Sequence, residues 1–253
     1  MWLVKYRELI RILTISELKV KYQSSVLGFA WSLLNPLLMM LVLYAVFNNV
    51  FRSNQEHFAL YLLIGIVSWR FLALGTSASM VAIVGKQSLV TKIYIPRQVL
   101  VLSTVLSSFI SSLLEFLVLM ILLLAFGVKI SPTILFFPVV HIVYFFMVYG
   151  ISLALAALYV YYRDLNQIWE VLLQLGFFVC PVCYSISIVP EKYLLYYMLN
   201  PVTLVMQVYR KTLLYGETPS AISLVYILLS ACTLVVLGSV IFRKLERRFA
   251  EEL

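Results

Sequence analysis

K19-V-K-Y-Q-S-S-V-L-G-F-A-W-S-L-L-N-P-L-L38 starts basic, passes through small polar residues and ends inside an apolar run. Lys19, Lys21 and Tyr22 suit the boundary between water and lipid, where cations and amphipathic rings settle. Beyond them no charge occurs from Tyr22 to Phe51, a stretch long enough to hold a membrane span. Trp31 sits near the boundary as a belt residue or a path residue. Asn35-Pro36 bends the run, because Pro36 removes one helical hydrogen bond near its start. One segment thus touches the membrane surface and then enters the membrane.

The rest of the chain repeats the second half of that pattern. Of its 253 residues 63% are apolar and 12% charged, and its mean hydropathy of +1.02 places it among integral membrane proteins rather than soluble globules. Spanning helices need about 20 apolar residues to cross ~30 Å of hydrocarbon, and six such runs are present. They fall within Tyr22–Phe51, about Phe58–Val84, about Val99–Phe126, within Ile130–Tyr162, about Asn166–Tyr184 and about Ala221–Phe242. Between the last two, Pro190, Asn200-Pro201 and Arg210-Lys211 cut residues 189–216 into pieces too short to span, which predicts two short re-entrant or interfacial helices. The expectation is an all-α integral membrane protein forming a single domain: an interfacial region over 1–24, a bundle over 25–243 and a tail over 244–253.

Charge sets the orientation. Thirteen Lys and Arg side chains flank the spans on one side, among them Arg11, Lys86, Lys92, Arg97, Arg163 and the group Arg243–Arg248, against five on the other: Arg52, Lys129, Lys192, Arg210 and Lys211. The positive-inside rule then puts both termini in the cytoplasm. The net charge of +8 is spread beside hydrophobic runs, which explains it by leaflet orientation and membrane lipid contact and argues against nucleic acid. Before the first span, residues 4–22 predict one or two amphipathic helices lying along the surface. Thr14-Ile-Ser-Glu17 has the capping-box spacing that would start the second of them.

Two charges, Arg70 and Glu115, fall deep inside predicted spans. Unpaired they are costly there, so they are expected to form a pair or a shared network. Tyr44, Phe47 and Phe51, with Asn48, share one face of the first span. Trp169, Phe177 and Tyr184 lie near one face of the fifth, beside a polar stripe of Gln167, Glu170 and Gln174. Packing alone accounts for any single ring. Cys180-Pro-Val-Cys183 has redox or zinc spacing but no second pair and no neighbouring His in sequence, so Cys180 and Cys183 are expected to be small packing residues. Gly85-Lys86-Gln87-Ser88 lacks the Ser or Thr after the lysine and the first glycine of a phosphate loop, so no nucleotide site is read here.

Five segments, in order and with matching spacing, resemble the membrane subunit of ABC exporters of the ABC-2 type, the branch that moves O-antigen, capsule and teichoic-acid polymers. They are E17-L-K-V-K-Y-Q-S-S-V-L-G-F-A-W-S-L-L-N-P-L37, K92-I-Y-I-P-R97, Y162-R-D-L-N-Q-I168, C180-P-V-C-Y-S-I-S-I-V-P190, and L199-N-P-V202 with Y209-R-K-T-L-L-Y-G216. With R248-F-A-E-E-L253 added, the nearest likeness is to O-antigen permeases. The resemblance implies a multi-pass inner-membrane subunit that works as a homodimer. It is driven by a separate cytoplasmic ATPase dimer, which holds the ATP and magnesium, and no cofactor is bound by this chain. It also implies a gate helix carrying Arg11, Glu17, Lys19, Lys21 and Tyr22. ATPase coupling is expected at Lys86, Lys92, Arg97, Arg163 and Asp164, with a short helix over 85–97. A path for lipid-linked polysaccharide is expected along Trp31, Tyr44, Phe47, Asn48, Phe51, Trp169, Gln174, Phe177 and Tyr184. A drug or small-lipid permease is the alternative in the same class. A membrane-embedded transferase lacks clustered acids at a membrane face, and a secondary transporter would want an inverted repeat that is not visible.

Overall fold

The computed structural model describes residues 6–23, 29–49, 57–87, 95–129 and 131–249, with the side chains of 29, 47–49 and 187 left aside. Every regular element among them is helical. They are α1 (Arg7–Gln23), α2 (Phe29–Asn49), α3 (Phe58–Met80), α4 (Arg97–Ala125), α5 (Phe136–Tyr161), α6 (Leu165–Val179), α7 (Glu191–Leu199), α8 (Pro201–Tyr209) and α9 (Ala221–Glu246). Short 3₁₀ turns cover Val84–Lys86, Pro132–Leu135 and Ile186–Ile188, and α8 continues as a π-helical turn over Arg210–Leu214.

Four helical stretches, Phe58–Met80, Arg97–Ala125, Pro132–Tyr161 and Ala221–Glu246, are long and apolar enough to cross a membrane. Two shorter apolar helices, α2 and α6, join them. The predicted fifth run, about Asn166–Tyr184, is a helix for 15 residues only. At 1.5 Å per residue that is roughly 22 Å. Pro181 has no N–H to continue the ladder, and the chain turns at Cys180, whose N–H still reaches Gly176 O at 2.8 Å. Two short helices do occupy the interval before α9. Asn200 caps α8 by accepting from Val202 N at 3.0 Å, with Pro201 at the first helical position, where its missing donor costs nothing.

α3 forms the centre and is buried on nearly every face. Its hydroxyls are satisfied by its own backbone: Ser68, Thr76 and Ser79 donate to the carbonyls four residues earlier at 2.6, 2.7 and 2.6 Å. This is how a Ser or Thr is tolerated where no water can reach it. Contact pairs give the direction of each neighbour. Trp69 meets Phe177 and Trp169 meets Thr76, so α6 runs antiparallel to α3. Ser112 meets His141 and Phe116 meets Phe137, so α4 and α5 are antiparallel. Gly150 meets Gly238 and Tyr161 meets Leu245, so α5 and α9 run side by side in one direction. A Cβ on Gly150 would lie 2.6 Å from Leu234 O, which explains why the closest helix pair of the bundle meets at glycines. Lys86, Arg97, Arg163 and Arg243–Arg248 gather at one end, called the basic end below. The α6–α7 turn, α8 and the Pro132–Leu135 turn gather at the other.

The capping box is not formed. α1 is one helix, and Thr14 Oγ1 instead bonds back to Ile10 O at 2.7 Å and reaches Ser103 O at 3.4 Å. Neither Pro nor Gly occurs between Arg7 and Gln23, so nothing breaks the helix there. α1 is also not a free-lying surface helix. Thr14 touches Ser103, Glu17 touches Thr104 at 3.5 Å, and Lys21 and Tyr22 meet Ser111 at 3.3 and 2.9 Å, so α1 climbs alongside α4 in the same direction. α2 is continuous through Pro36.

Candidate functional site

Three constellations carry the chemistry that this bundle can offer. The first lies at mid-depth. Arg70, twelve residues into α3, sends Nη1 to Asn35 Oδ1 at 2.6 Å and Nη2 to Glu115 Oε1 at 3.4 Å. Glu115 is buried. The two expected charges therefore meet, and a partner that was not expected, Asn35 beside Pro36, joins them from α2. Next to Arg70 a cavity of about 550 Å³ opens between α2, α3 and α6, lined by Met39, Ile66, Trp69, Arg70, Glu170, Gln174 and Phe177 among others. Gly176 lets the helices close here, since a Cβ on it would lie 2.7 Å from the Trp69 ring. Gln174 and Phe177 thus share one wall. Trp169 does not: its Nε1 donates to Thr76 Oγ1 at 2.9 Å, which engages it with α3 instead. Aromatic edges plus a few polar groups on an otherwise apolar wall form a surface that holds ring-shaped, hydroxyl-bearing molecules weakly.

The second constellation is at the end opposite the basic one. Arg210 was counted from sequence among the charges flanking the spans; the structure corrects this, because its side chain is 0% exposed. Nη1 donates to Tyr61 Oη at 2.8 Å and Pro181 O at 2.7 Å, Nη2 donates to Val182 O at 2.9 Å, and the guanidinium lies 3.5 Å from the Tyr61 ring centre. One side chain therefore joins α3, the Cys180–Cys183 turn and the π-helical turn. π-turns of this kind are frequent at functional sites. Beside it His141, also fully buried, bridges Ser112 at 3.0 Å and Tyr209 at 2.9 Å. Phe71, Phe109, Phe116 and Phe137 surround that ring. Cys180 and Cys183 are free and buried, and Asn200 Nδ2 donates to Cys180 Sγ at 3.2 Å. Tyr184 is set away from the α6 wall. Its hydroxyl donates to Phe178 O and Tyr197 Oη at 2.9 and 3.1 Å, and it lines a second cleft of about 710 Å³ with Tyr193, Tyr196 and Tyr197.

The third is the basic end. Lys86 pairs with Glu17, which ties the turn after α3 to α1. Arg97 Nη1 donates to Glu246 O at 2.8 Å, so this cation is spent on the end of α9. Arg163 lies over the Tyr159 ring at 5.4 Å and, like Asp164 at the start of α6, is exposed. Of the expected 85–97 helix, residues 85–87 and 95–97 are described, the first in the Val84–Lys86 turn and Arg97 at the start of α4; Lys92 lies outside the described residues, as does Phe51, and the side chains of Phe47 and Asn48 are likewise outside them. Arg11 pairs with Glu8 at 3.9 Å on an exposed face of α1, and Lys19 is exposed there too. Trp31 and Tyr44 are exposed on α2, with Tyr44 6.5 Å from the Phe58 ring.

From sequence, neither His141 nor the hydroxyl stripe of α4 is assigned a role, and Arg210 is taken for a flanking charge. The stripe was visible as Ser103, Thr104, Ser107, Ser108, Ser111 and Ser112, small polar residues at helical spacing in an apolar run. Such a stripe marks where a second helix lies close: α1 covers it at Ser103, Thr104 and Ser111, while Ser112 meets His141 of α5.

Known proteins add the remaining information. The ABC-2 type transporter family matches residues 8–214. The O-antigen export system permease protein RfbA of Myxococcus xanthus is 32% identical over 253 residues, 99% of this chain and 97% of its own length. The protein of the same name from Klebsiella pneumoniae is 30% identical over 246 residues, 96% and 94% of the two chains. The polysialic acid transport protein KpsM of Escherichia coli is 19% identical over 247 residues, 94% of this chain and 93% of its own. With the family matched across most of its length and an all-helical, lipid-adapted bundle beneath that match, the chain belongs to the ABC-2 type transporter family of membrane permeases.

Proposed function

We propose that the chain is the membrane subunit of an exporter that moves a lipid-linked, O-antigen-like polysaccharide out of the cytoplasm, powered by a separate ATPase. The observation that carries this reading is the end-to-end alignment with O-antigen export permeases, which covers 99% of the chain at 32% identity. Six spans, counting α2 and α6 with the four long helices, alternate in direction and return both termini to the basic end. The positive-inside rule assigns that end to the cytoplasm of a multi-pass inner-membrane protein.

The α2–α3–α6 cavity and the outward face of α6 suit a polymer path. Gln167, Glu170 and Gln174 are exposed on α6, and polar groups at that depth are expensive against lipid. A second copy of the chain across this face, with a hydrated path between the two, removes that cost and supports a homodimer. The apolar, aromatic lining with few polar groups favours sliding over tight retention. On the cytoplasmic side the exposed Arg163 and Asp164, together with Lys86 and the Val84–Lys86 turn, are the surface on which an ATPase dimer would push. Arg11, Lys19 and the exposed aliphatic residues of α1 suit a gate helix at the lipid boundary. The 19% likeness to a polysialic acid transport protein keeps capsule polymers as a second substrate reading.

The test is reconstitution. Vesicles holding the chain with the ATPase encoded beside it should take up lipid-linked polymer on ATP addition, and vesicles holding the chain alone should do neither transport nor hydrolysis. Transport by the chain alone would overturn the reading.

A further inference from the structure

We propose that Phe249 is a coupling residue: it clasps the end of α9 to the start of α4 and the end of α5, where the two cytoplasmic turns join these helices, so that a push on either turn moves α4, α5 and α9 as one body. The inference rests on the reading of this chain as an ATPase-driven permease. Its geometry is independent of that reading.

Arg97 is the first residue of α4, directly after the turn that carries Lys86 and Lys92; Tyr161 is the last of α5, directly before Arg163 and Asp164. These two residues grip neighbouring carbonyls at the end of one helix. Arg97 Nη1 donates to Glu246 O at 2.8 Å, and Tyr161 Oη donates to Leu245 O at 2.7 Å. The last carbonyls of a helix lack intrahelical partners, so they are the natural place for such a grip. Three residues after Glu246, past the Arg247–Arg248 turn, Phe249 is 0% exposed. Its ring lies 5.7 Å from Phe242, 6.0 Å from Tyr161 and 5.4 Å beneath the Arg97 guanidinium. Phe249 touches both gripping residues at once.

A residue that merely anchored the tail would need one apolar neighbour. Phe249 has an aromatic neighbour on α5, another on α9 and a cation on α4. Removing its ring leaves Arg97 and Tyr161 without the body between them and lets the α4 start and the α5 end move separately. Force applied at one turn then leaks away locally before it reaches the paired helices α5 and α9, which meet at Gly150 and Gly238.

The experiment compares Phe249→Ala, Phe249→Leu and Tyr161→Phe in cells carrying the whole export system and lacking the native copy. Surface polymer is measured per molecule of membrane-inserted permease, alongside co-purified ATPase and the ATP turnover of the purified complex. Phe249→Ala is expected to keep the ATPase bound and hydrolysing within about twofold, while polymer exported per ATP falls about fivefold, within the range that coupling mutations produce. Phe249→Leu should restore most of the loss, and Tyr161→Phe should reproduce part of it without changing a buried volume. Unchanged export per ATP in Phe249→Ala overturns the proposal, as does loss of the ATPase from the complex, which would make this region a docking face. Amide exchange on the permease alone separates the two layers of inference. Phe249→Ala should speed exchange in residues 97–101 and 241–249 even if no ATPase partner exists, and unchanged exchange there refutes the clasp itself.

Discussion

Replacing Arg210 with lysine should harm the protein at least as much as replacing it with methionine. Three hydrogen bonds of 2.7 to 2.9 Å hold the guanidinium to Pro181 O, Tyr61 Oη and Val182 O. In membrane proteins such bonds average about 0.6 and reach about 1.7 kcal/mol, and a cation over a ring away from water adds about 2 kcal/mol. The gross loss on Arg210→Met is then about 4–7 kcal/mol. Methionine, however, also removes a buried charge that was neutralised by no carboxylate among the described residues, which returns part of the loss. A net cost of about 2–4 kcal/mol remains, against a total stability of about 5–15 kcal/mol.

Lysine keeps the charge and gives up the fork. Its ammonium cannot serve Pro181 O, Val182 O and Tyr61 Oη together, nor lie flat on Tyr61, so it retains the cost of burial with fewer bonds to offset it. Thermal unfolding of the purified protein in detergent, followed by tryptophan fluorescence, should show Tm reduced by about 5–15 °C in both variants, with surface polymer reduced in step. If Arg210 acted as a flanking charge that sets topology, lysine would be neutral. A lysine variant with wild-type Tm and export therefore refutes the keystone argument outright.

Gly65→Ala should copy the Arg210 phenotype without touching the arginine, because its Cβ would lie 2.6 Å from Arg210 Nη2 and 2.7 Å from Val182 O; unfolding and export again report it, and a Tm within about 1 °C of wild type would count against it. For Arg70 and Glu115, a double-mutant cycle with leucine at each position should give a coupling energy of about 1–3 kcal/mol, the double variant being milder than the sum of the singles; additive losses in Tm would show that the 3.4 Å pair contributes nothing. Ser111→Ala combined with Tyr22→Phe removes the upper contacts of α1 on α4 and should cost about 1 kcal/mol. It should also raise the thiol reactivity of a cysteine placed at the half-buried Leu18, and unchanged reactivity would mean that α1 is held by its lower half alone.

The parts legible in the sequence were those written in periodicity and cost. Apolar runs of spanning length located α3, α4, α5 and α9, since lipid tolerates little else. Arg70 and Glu115 were paired on paper because an unpaired charge at that depth is so unfavourable that a partner within reach is close to obligatory. Of the one or two helices expected over 4–22 a single one forms, and the second start offered at Thr14–Glu17 fails for the converse reason. A capping box is a local signal worth about 1 kcal/mol, whereas the contacts of Thr14, Glu17, Lys21 and Tyr22 with α4 extend over the whole of its second half, and tertiary packing outweighed the cap. Tyr184 was placed with Phe177 by helical counting, which ceased to apply at Cys180 where Pro181 ends α6.

Arg210 was misplaced because positive charge near a helix break resembles a flanking charge, yet the break is also what makes burial feasible. A regular helix consumes its own carbonyls, so a spanning segment offers a buried cation mainly side-chain partners, as Asn35 and Glu115 serve Arg70. Where the backbone leaves the ladder, as at Pro181 and Val182, carbonyl oxygens become free and can surround a guanidinium without any counter-charge. The same turn that stops α6 short of a full span therefore creates the seat for Arg210, and the π-turn of Arg210–Leu214 aims the side chain into it. An arginine that lies within a few residues of proline-broken apolar segments is on this argument a candidate for the interior, and its identity as Arg rather than Lys is the distinguishing sign, since only a planar fork can satisfy several diverging carbonyls at once.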